Sequence, residues 1–434
     1  MMSVSHSAAH PEEGHRPVSK GVGGTGSGSS EIETPPALRD APKGDSSGRA
    51  AFSNGLLCIG DNLQSMPVLL GRFEKRCKLV LVDPPYNARN RKDYPDEMGH
   101  DEWLSWLEER LRLACRFLSD DGILAAHIDD SEQAYLQILL DRILGRERRL
   151  NTVCVKMSEL SGVKMRYQDR MLPRTKEYVL LYGATESARL KPLRRPKTPE
   201  KLAEYADYYR WYLDNPGDPV ENWQVRPLRE VMKELGVART RESLANFRLE
   251  HAHRMVYRTN NKGFDLLPPE QRPSTTFAKL KSPWGEDHVW WEGKQMLFLS
   301  DYLDEPLGDI WTDISTINLG REGAVSLRSG KKPEALIERI VELSTNSGDL
   351  VLDPFCGSGT TGAVSHKCGR DWILLETDPD IASRAKSRLE SVAAGTDPFG
   401  ITASRGWSGG GYFESIESGH TETAVLSHLS RHHE

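Results

Sequence analysis

The chain has 434 residues, of which 38% are hydrophobic and 28% charged, and its formal net charge is −6 at neutral pH. This length is enough for two folded units. The absence of a long apolar run and of an apolar N-terminal segment excludes a membrane span and a secretory signal, so we expect a cytoplasmic protein. The six cysteines form no CxxC pair, which argues against a zinc site or a disulfide framework, and we expect no metal.

Charge is distributed unevenly along the chain. Residues 156–281 contain 25 Lys and Arg against 16 Asp and Glu, a net charge of +9, which leaves −15 for the rest. A basic insert beside an acidic body is typical of a protein that contacts nucleic acid, although a solvated basic surface would show the same charge.

The two ends of the chain have the composition of disordered segments. Residues 1–50 are dominated by Gly, Ser, Pro, His and charged residues, with too few apolar side chains to build a core. We therefore predict a disordered leader over residues 1–50. A C-terminal tail is assigned to residues 396–434, and its composition beyond about Glu414 is similar to that of the leader.

Residues 51–184 show an α/β pattern. Apolar runs predict strands at residues 78–82, 123–128 and 178–182. Leucines at helical spacing predict a helix over residues 104–118, and a second helix is expected over residues 132–144.

The same pattern resumes in residues 311–395, with a helix at 334–344 and strands at 350–352 and 372–375. Strands that alternate with helices indicate a mostly parallel sheet covered on both faces. The segment between, residues 185–310, is rich in Trp, Tyr, Arg and Pro and has little periodicity. We interpret it as an insert that reads the substrate.

A glycine-rich turn follows the strand at 350–352, with the sequence Asp-Pro-Phe-Cys-Gly-Ser-Gly-Thr-Thr-Gly from Asp353 to Gly362. Its glycines satisfy GxGxxG, and Glu376 ends the next strand where a ribose-binding carboxylate is expected. The turn therefore predicts a nucleotide-like ligand. Asp353 at the strand end suits a cationic or amino-bearing ligand better than a pyrophosphate, but this turn alone leaves the ligand open.

A second motif, Asp83-Pro84-Pro85-Tyr86-Asn87, comes directly after the strand at 78–82. Two consecutive prolines fix the backbone, so the carbonyl groups here are held as acceptors. The Asp83 carboxylate beside such a carbonyl can accept both N–H groups of one amine, and the Tyr86 ring can stack on a planar base. Alone, the motif is also compatible with an ordinary turn that ends a strand.

Together the two motifs resemble the paired signature of DNA amino-methyltransferases. Their order, with the catalytic motif first and the cofactor motif last, resembles the permuted β class of that family. Three further segments are similar to family segments: Gly60-Asp61-Asn62-Leu63, Ile128-Asp129-Asp130 and Lys332-Pro333. The chain most resembles the modification (Mod) subunits of type III restriction-modification systems, over about residues 55–183 and 325–392.

The resemblance implies an α/β, Rossmann-like fold of S-adenosylmethionine-dependent methyltransferases, with a mostly parallel, circularly permuted sheet and an inserted target-recognition region. It divides the chain into a catalytic half (51–184), a target-recognition insert (185–310) and a cofactor-binding half (311–395). In the permuted order, the strands that precede Asp61, Asp83, Asp353 and Glu376 should all end at one edge of the sheet, where ligands bind.

The implied activity is site-specific methylation of adenine N6 in double-stranded DNA, with S-adenosyl-L-methionine as the methyl donor. The implied catalytic residues are Asp83, Pro84, Pro85 and Tyr86. In the implied cofactor site, Asp61 contacts the adenine amine, Glu376 the ribose and Lys332 the carboxylate region. The methionine part would be held by the turn residues Asp353, Phe355, Gly357, Gly359 and Thr360.

Three alternatives stay open. Cytosine N4 bears the same kind of amine, although family members that act on cytosine more often have Ser in place of Asp83. A non-catalytic DNA-binding specificity subunit would also carry a basic insert, and a nucleotide-dependent oxidoreductase would share GxGxxG but leave Asp83 to Tyr86 unexplained. The resemblance further implies a homodimer and a possible restriction (Res) subunit as partner. The DNA recognition sequence cannot be read from one chain.

Overall fold

The computed structural model describes residues 55–87, 98–159, 172–259, 275–281, 287–317, 319–324 and 330–417. The predicted leader, residues 1–50, and the final part of the predicted tail lie outside the described residues.

The strands of the described residues form three sheets. In chain order they are β1 (Gly55–Ile59), β2 (Cys77–Val82), β3 (Leu118–Ile128), β4 (Arg149–Lys156), β5 (Lys176–Gly183), β6 (Arg194–Pro196), β7 (Trp211–Leu213), β8 (Val225–Pro227), β9 (Met255–Arg258), β10 (Phe277–Lys281), β11 (Asp287–Trp291), β12 (Lys294–Phe298), β13 (Asp304–Pro306), β14 (Ile310–Trp311), β15 (Leu350–Asp353), β16 (Asp371–Glu376) and β17 (Phe413–Glu417).

The α-helices cover the sheets or connect their strands. In chain order they are α1 (Asn62–Phe73), α2 (His100–Cys115), α3 (Gln133–Leu144), α4 (Pro199–Ala206), α5 (Leu228–Glu234), α6 (Arg241–Glu250), α7 (Glu334–Ser344), α8 (Thr360–Lys367), α9 (Pro379–Ala393) and α10 (Thr402–Arg405). No helix of the described residues is both long enough and apolar enough to cross a bilayer.

The largest sheet has nine described strands in the order β14-β4-β5-β3-β2-β15-β16-β1-β17. Strand β5 runs antiparallel to both its neighbours, and every other adjacent pair is parallel. The predicted mostly parallel α/β fold is therefore confirmed.

The centre of this sheet shows the predicted permutation. Strand β15, from late in the chain, lies between β2 and β16, with Leu352 opposite Val80 and Asp353 opposite Leu374. Strand β16 in turn pairs with β1. Because these four strands are parallel neighbours, their carboxyl ends share one edge. Among the carboxylates predicted to meet there, Asp353 and Glu376 end their strands, Asp83 directly follows β2, and Asp61 follows β1 after Gly60.

Two apolar layers cover the sheet, one on each face. Along β2, Val80 and Val82 pack with residues of α1, α2 and α3, whereas Leu79 and Leu81 pack with residues of α7, α8 and α9. Successive side chains of a strand point to opposite faces. With both faces covered, the central strands are continuous apolar runs, which is why the sequence pattern located them well.

The insert forms its own sheets. Strands β6 and β13 make a two-stranded ladder, and six further strands form an antiparallel sheet in the order β10-β11-β12-β9-β7-β8. Tyr209, Tyr212, Met232 and Met255 belong to a core separate from the two layers of the large sheet. The sequence pattern did not predict these strands, which have only three to five residues each.

The predicted C-terminal tail requires a correction. Residues from 396 onward include α10 and β17, and β17 extends the large sheet by pairing in parallel with β1. The Phe413 ring also packs on the buried Trp372 ring at 5.5 Å. These contacts make residues up to Glu417 part of the folded body, because the edge strand β1 gains a hydrogen-bonding partner.

Candidate active site

A cavity of about 520 Å³ opens at the sheet edge where β1, β2, β15 and β16 end. Asp83 and Pro85 of the first motif line it together with Asp353, Phe355 and Gly357 of the glycine turn. The two motifs, which lie far apart in the sequence, therefore face the same space.

The structure brings most of the predicted site residues to this cavity. Its described lining includes Asp61, Asp83, Pro85, Lys332, Asp353, Phe355, Gly357, Thr360 and Glu376. Three predicted residues, Pro84, Tyr86 and Gly359, are not part of that lining. Gly359 caps α8 in a left-handed conformation, and a Cβ there would meet the Ala385 Cβ at 3.2 Å, so it permits close packing of α8 on α9.

Asp353 organises the glycine turn from within. Its Oδ1 accepts a hydrogen bond from the Phe355 backbone N–H at 2.8 Å, and its Oδ2 accepts one from the Thr361 hydroxyl at 2.5 Å. The side chain is buried, and burial raises the pKa of Asp353 to about 7 despite these bonds. Asp353 therefore holds the shape of the turn at a cost in desolvation.

Glu376 connects the glycine turn to the end of β16. Its Oε2 accepts from the Gly357 backbone N–H at 2.8 Å, and its Oε1 accepts from the Asp378 N–H at 3.0 Å. Burial raises the pKa of Glu376, while these backbone bonds oppose the shift. Gly357 has a φ of 53°, and a Cβ built there would meet nothing closer than the Phe355 carbonyl oxygen at 3.9 Å. The space above Gly357 therefore belongs to the cavity.

Asp61 also lines the cavity and is the N-cap of α1. Its Oδ1 accepts from the Leu63 N–H at 2.7 Å, the geometry of a helix N-cap, and its Oδ2 lies 3.3 Å from Arg110. Asn62 beside it donates to the Pro354 carbonyl at 2.8 Å, which ties the end of β1 to the glycine turn. Sequence reasoning did not identify Arg110 or Asn62 as site residues.

An aromatic wall completes this side of the cavity. The Trp106 ring lies 5.7 Å from the Phe355 ring, and the Arg110 guanidinium lies 4.2 Å above Trp106. Trp106 and Arg110 are four residues apart on α2, so they share one helix face. That spacing is the one sequence signal that could have identified them, but it is equally typical of an ordinary core helix.

The Asp83 carboxylate is held by two partners. Its Oδ1 accepts a hydrogen bond from the Tyr86 hydroxyl at 3.0 Å, and its Oδ2 lies 3.0 Å from the Lys332 ammonium. Lys332 also donates to the Gly330 carbonyl at 3.1 Å and lies 4.7 Å above the Tyr86 ring. Burial opposes the charge of Lys332, but attraction by Asp83 and Glu177 raises its pKa overall. In the structure, Lys332 therefore pairs with Asp83, whereas the sequence prediction assigned Lys332 to the cofactor.

Tyr86 lies behind Asp83 and is only 7% exposed. Its hydroxyl is 3.0 Å from Asp83 Oδ1 and also 3.0 Å from Glu177 Oε2. Burial and the two carboxylates raise its pKa well above the ordinary value, so Tyr86 stays a neutral phenol. Because the Tyr86 ring is enclosed, little of its face is exposed for a base to stack on. Its hydroxyl is the group that contacts its neighbours.

Two residues of this cluster, His127 on β3 and Glu177 on β5, were not identified from the sequence. His127 Nε2 lies 3.2 Å from Glu177 Oε2, yet neither ring nitrogen makes a hydrogen bond of good geometry with any described residue. Burial and the charge of Lys332 lower the pKa of His127 well below its ordinary value, so its ring is neutral. Burial raises the pKa of Glu177. Only the presence of a polar side chain in an apolar strand could have indicated either residue.

No group of three or more His, Cys, Asp or Glu among the described residues is arranged to hold a metal ion. The side chains and backbone that line the cavity offer carboxylates, backbone groups, aromatic rings and one buried lysine.

Comparison with known proteins gives matches over most of the chain. Residues 77–387 match the protein family N6_N4_Mtase, described as DNA methylase. The protein named "Probable type III restriction-modification enzyme HindVI Mod subunit", from Haemophilus influenzae, is 30% identical over 84% of this chain and 54% of its own length. "Type II methyltransferase M.KpnI" from Klebsiella pneumoniae is 27% identical over 74% of this chain and 80% of its own length.

Among solved structures, the TTHA0409 protein of Thermus thermophilus, complexed with S-adenosyl-L-methionine, matches with a TM-score of 0.42 and 18% identity. That match covers 85% of this chain and 99% of the other. With a TM-score below 0.5, it adds no weight to any statement about activity. The chain spans about half the length of the HindVI Mod subunit, at 54%.

Proposed function

The chain belongs to the DNA methylase family, and on that premise we propose that it transfers a methyl group from S-adenosyl-L-methionine to adenine N6 in double-stranded DNA. The shared cavity is the observation that supports this most strongly. The Asp83 motif and the glycine turn follow neighbouring parallel strands, β2 and β15, and line one space. A methyl acceptor held at the first motif would there meet a donor held at the second.

The cavity suits the proposed cofactor in size and chemistry. Its volume of about 520 Å³ is in the usual range for small-molecule sites. Asp61, Asp353 and Glu376 provide carboxylates for amino, hydroxyl and positively charged groups, and the open space above Gly357 lets a ligand approach the backbone. We assign the adenine amine to Asp61, the ribose to Glu376, and the methionine part to the turn around Phe355 and Thr360.

When bound, S-adenosyl-L-methionine supplies an electrophilic methyl group on a positively charged sulfur. The protein must make the amine of the base a better nucleophile, because its lone pair is conjugated with the ring. Asp83 and the Pro84 carbonyl would accept its two N–H groups, which favours a pyramidal nitrogen. A carboxylate has about four acceptor positions, so Asp83 can accept the amine while bound to Tyr86 and Lys332.

The first test of this proposal is methyl transfer to DNA by the wild type and by Asp83→Ala. We expect incorporation of labelled methyl groups by the wild type and a loss of at least about 10²-fold in the variant, which lacks the acceptor. Cofactor binding, measured by calorimetry, serves as the control for folding. Unchanged methyl transfer by Asp83→Ala would refute the role of Asp83.

The choice of base needs its own measurement. Adenine N6 is favoured over cytosine N4 by Asp at position 83, by resemblance to family members acting on adenine. Digestion of methylated DNA to nucleosides, followed by mass spectrometry, should yield N6-methyl-2′-deoxyadenosine. N4-methyl-2′-deoxycytidine as the product would establish the alternative.

The insert, residues 185–310, is proposed to recognise the DNA target. Its six-stranded sheet contains a cleft of about 560 Å³ lined by aromatic and basic side chains and by one carboxylate, Glu292, which pairs with Arg258. The other lining residues are Tyr208, Arg210, Trp211, Tyr257, Trp291 and Lys294. Rings that can stack on bases, combined with cations that can contact phosphates, are typical of nucleic-acid interfaces. Sequencing methylated DNA from cells that express the protein would identify base and recognition sequence together.

The proposal also covers how this chain assembles with other chains. Homodimerisation and pairing with a restriction subunit follow from the resemblance to Mod subunits of type III systems, such as the HindVI relative. Sedimentation of the purified chain tests the dimer. Co-purification with the product of a neighbouring restriction gene tests the partner.

A further inference from the structure

The Tyr86 hydroxyl lies between two carboxylates, 3.0 Å from Asp83 Oδ1 and 3.0 Å from Glu177 Oε2. A phenol has a single proton to donate but can also accept a hydrogen bond. It can therefore donate to only one of the two carboxylates at a time. The other bond is made well only when that second carboxyl group itself carries a proton. This is the geometry of a proton relay with Tyr86 as its middle member.

The surroundings of Glu177 leave it able to take a proton. Asp83 and Tyr86 face it from the segment after β2, and Lys332 faces it from the segment before α7, 4.0 Å away. Lys332 lies closer to Asp83, at 3.0 Å, so its charge chiefly compensates Asp83.

The remaining groups near Glu177 bring no compensating positive charge. From β3, the neutral His127 faces it, and Asp129 acts on it as a further negative charge. On β5 itself, the neighbouring Lys176 and Tyr178 are paired with Asp130. Burial and the two aspartates accordingly raise the pKa of Glu177, while Lys332 and Tyr86 lower it.

The proposed reaction releases a proton inside this cluster. The amine nitrogen forms a bond to the methyl carbon, and the bond between that carbon and sulfur breaks with its electron pair on sulfur. One of the two amine protons must then leave the nitrogen. Asp83, the proposed acceptor for the amine, can receive that proton, but it must pass it on to regain its charge for the next turnover.

On the premise of the proposed function, we propose that Glu177 is the proton acceptor of the reaction, reached from Asp83 through the Tyr86 hydroxyl. Asp83 Oδ1 passes the amine proton to the Tyr86 oxygen as Tyr86 passes its own proton to Glu177 Oε2. The outcome is an ionised Asp83, a neutral Tyr86 and a protonated Glu177, with no change in total charge. Tyr86 thus acts through its hydroxyl, and Glu177 is a positioning and proton-storing residue that lies outside the cavity lining.

The kinetic test is the pH dependence of steady-state methyl transfer at saturating DNA and cofactor, because every turnover after the first requires Asp83 to be ionised again. We expect the wild-type rate to fall as the pH drops through the raised pKa of Glu177, since a protonated acceptor cannot take another proton. Glu177→Gln and Tyr86→Phe should each lower the rate about 10²-fold and remove this acid limb. The double variant should be no slower than either single variant, because both break the same relay.

Tyr182→Phe is the matched control. Tyr182 is a buried tyrosine like Tyr86, but it lies on β5, and its hydroxyl donates to Asp141 at 2.5 Å. Its removal costs a comparable hydrogen bond outside the cluster, so the pH profile should stay that of the wild type. The relay is overturned if Glu177→Gln keeps the acid limb and the wild-type rate, or if the losses in the double variant multiply.

A second measurement needs neither DNA nor cofactor. In an infrared titration of the protein alone, the difference spectrum between the wild type and Glu177→Gln should contain the C=O stretch of a protonated carboxyl that persists above the usual pH range of Glu. Its absence from the difference spectrum would contradict the proposal. If the wild type transfers no methyl group to any DNA, the proposed function fails, whereas the infrared result still decides the state of Glu177 by itself.

Discussion

Asp353 shapes the candidate site, but its burial destabilises the fold when the carboxyl group is ionised. It is 2% exposed and holds the glycine turn through Phe355 and Thr361. Burial raises its pKa from 3.8 to about 7, so the folded state binds a proton more tightly than the unfolded state. Proton binding by Asp353 therefore adds up to about 4 kcal/mol to the free energy of unfolding, if the whole pKa shift contributes. This contribution is complete below pH 4 and is lost as the pH rises to 7.

Asp353→Asn should therefore change how stability depends on pH. The amide cannot ionise, so the free energy of unfolding of the variant, relative to the wild type, should increase between pH 5 and pH 8. Urea unfolding at both pH values measures this difference. Asp380→Asn, at an exposed position on α9, is the control for the substitution itself. An equal effect of Asp353→Asn at pH 5 and pH 8 would contradict the raised pKa of Asp353.

At the scale of elements, a buried ion cluster joins the helices on one face of the sheet. Lys367 of α8 lies 2.8 Å from Glu334 of α7 and 2.8 Å from Asp397, and Arg388 of α9 lies 2.7 Å from Glu334. All four side chains are at most 2% exposed. Arg388 also donates to the Ser358 carbonyl at 3.1 Å, so the cluster supports the glycine turn from below.

Lys367→Met should destabilise the protein by about 3–5 kcal/mol, because Glu334 and Asp397 would lose a partner without gaining water. The matched control is Arg112→Met, which breaks the exposed pair of Arg112 and Glu108, 2.6 Å apart on α2. That variant should cost about 0–1 kcal/mol. Urea denaturation of both variants gives the comparison, and losses of equal size would show that burial of the Lys367 cluster has no special role.

At the scale of the whole molecule, the proposed recognition insert and the proposed catalytic cavity belong to separate cores. The insert has its own sheet and its own apolar clusters, and its aromatic cleft lies on that sheet rather than on the large one. Changes in the cleft should therefore alter DNA affinity without altering the transfer step.

Tyr208→Ala should weaken DNA binding by about 1–2 kcal/mol, because it removes an exposed aromatic contact from the proposed interface, with little change in the rate at saturating DNA. Tyr208 is 57% exposed in the cleft, and Leu235, also 57% exposed in the insert, lies outside the described cleft lining. Leu235→Ala is thus the control and should bind DNA as the wild type does. Fluorescence anisotropy with double-stranded DNA gives both affinities. Equal affinities for all three proteins would remove the cleft from the DNA interface.

The sequence by itself determined the α/β architecture, and its resemblance to DNA amino-methyltransferases implied the permuted order. The apolar runs of β2, β3, β15 and β16 and the helix α7 were located because their side-chain periodicity is local. The two motifs also predicted that Asp61, Asp83, Asp353 and Glu376 would meet at one edge, since parallel strands bring their carboxyl ends together.

Only the tertiary structure decided which side chains contact each other. His127 occupies a single polar position in an apolar strand, and Glu177 lies beside Lys176 at the start of β5. Lys332 pairs with Asp83 from a distant part of the chain, and β17 joins the sheet beside β1. Side-chain periodicity likewise did not predict the short antiparallel strands of the insert. The physical reason is common to all of them. The periodicity of a segment reflects how that segment buries its own side chains. Pairing between distant segments depends on the packing of the whole fold and therefore produces no periodicity in the sequence.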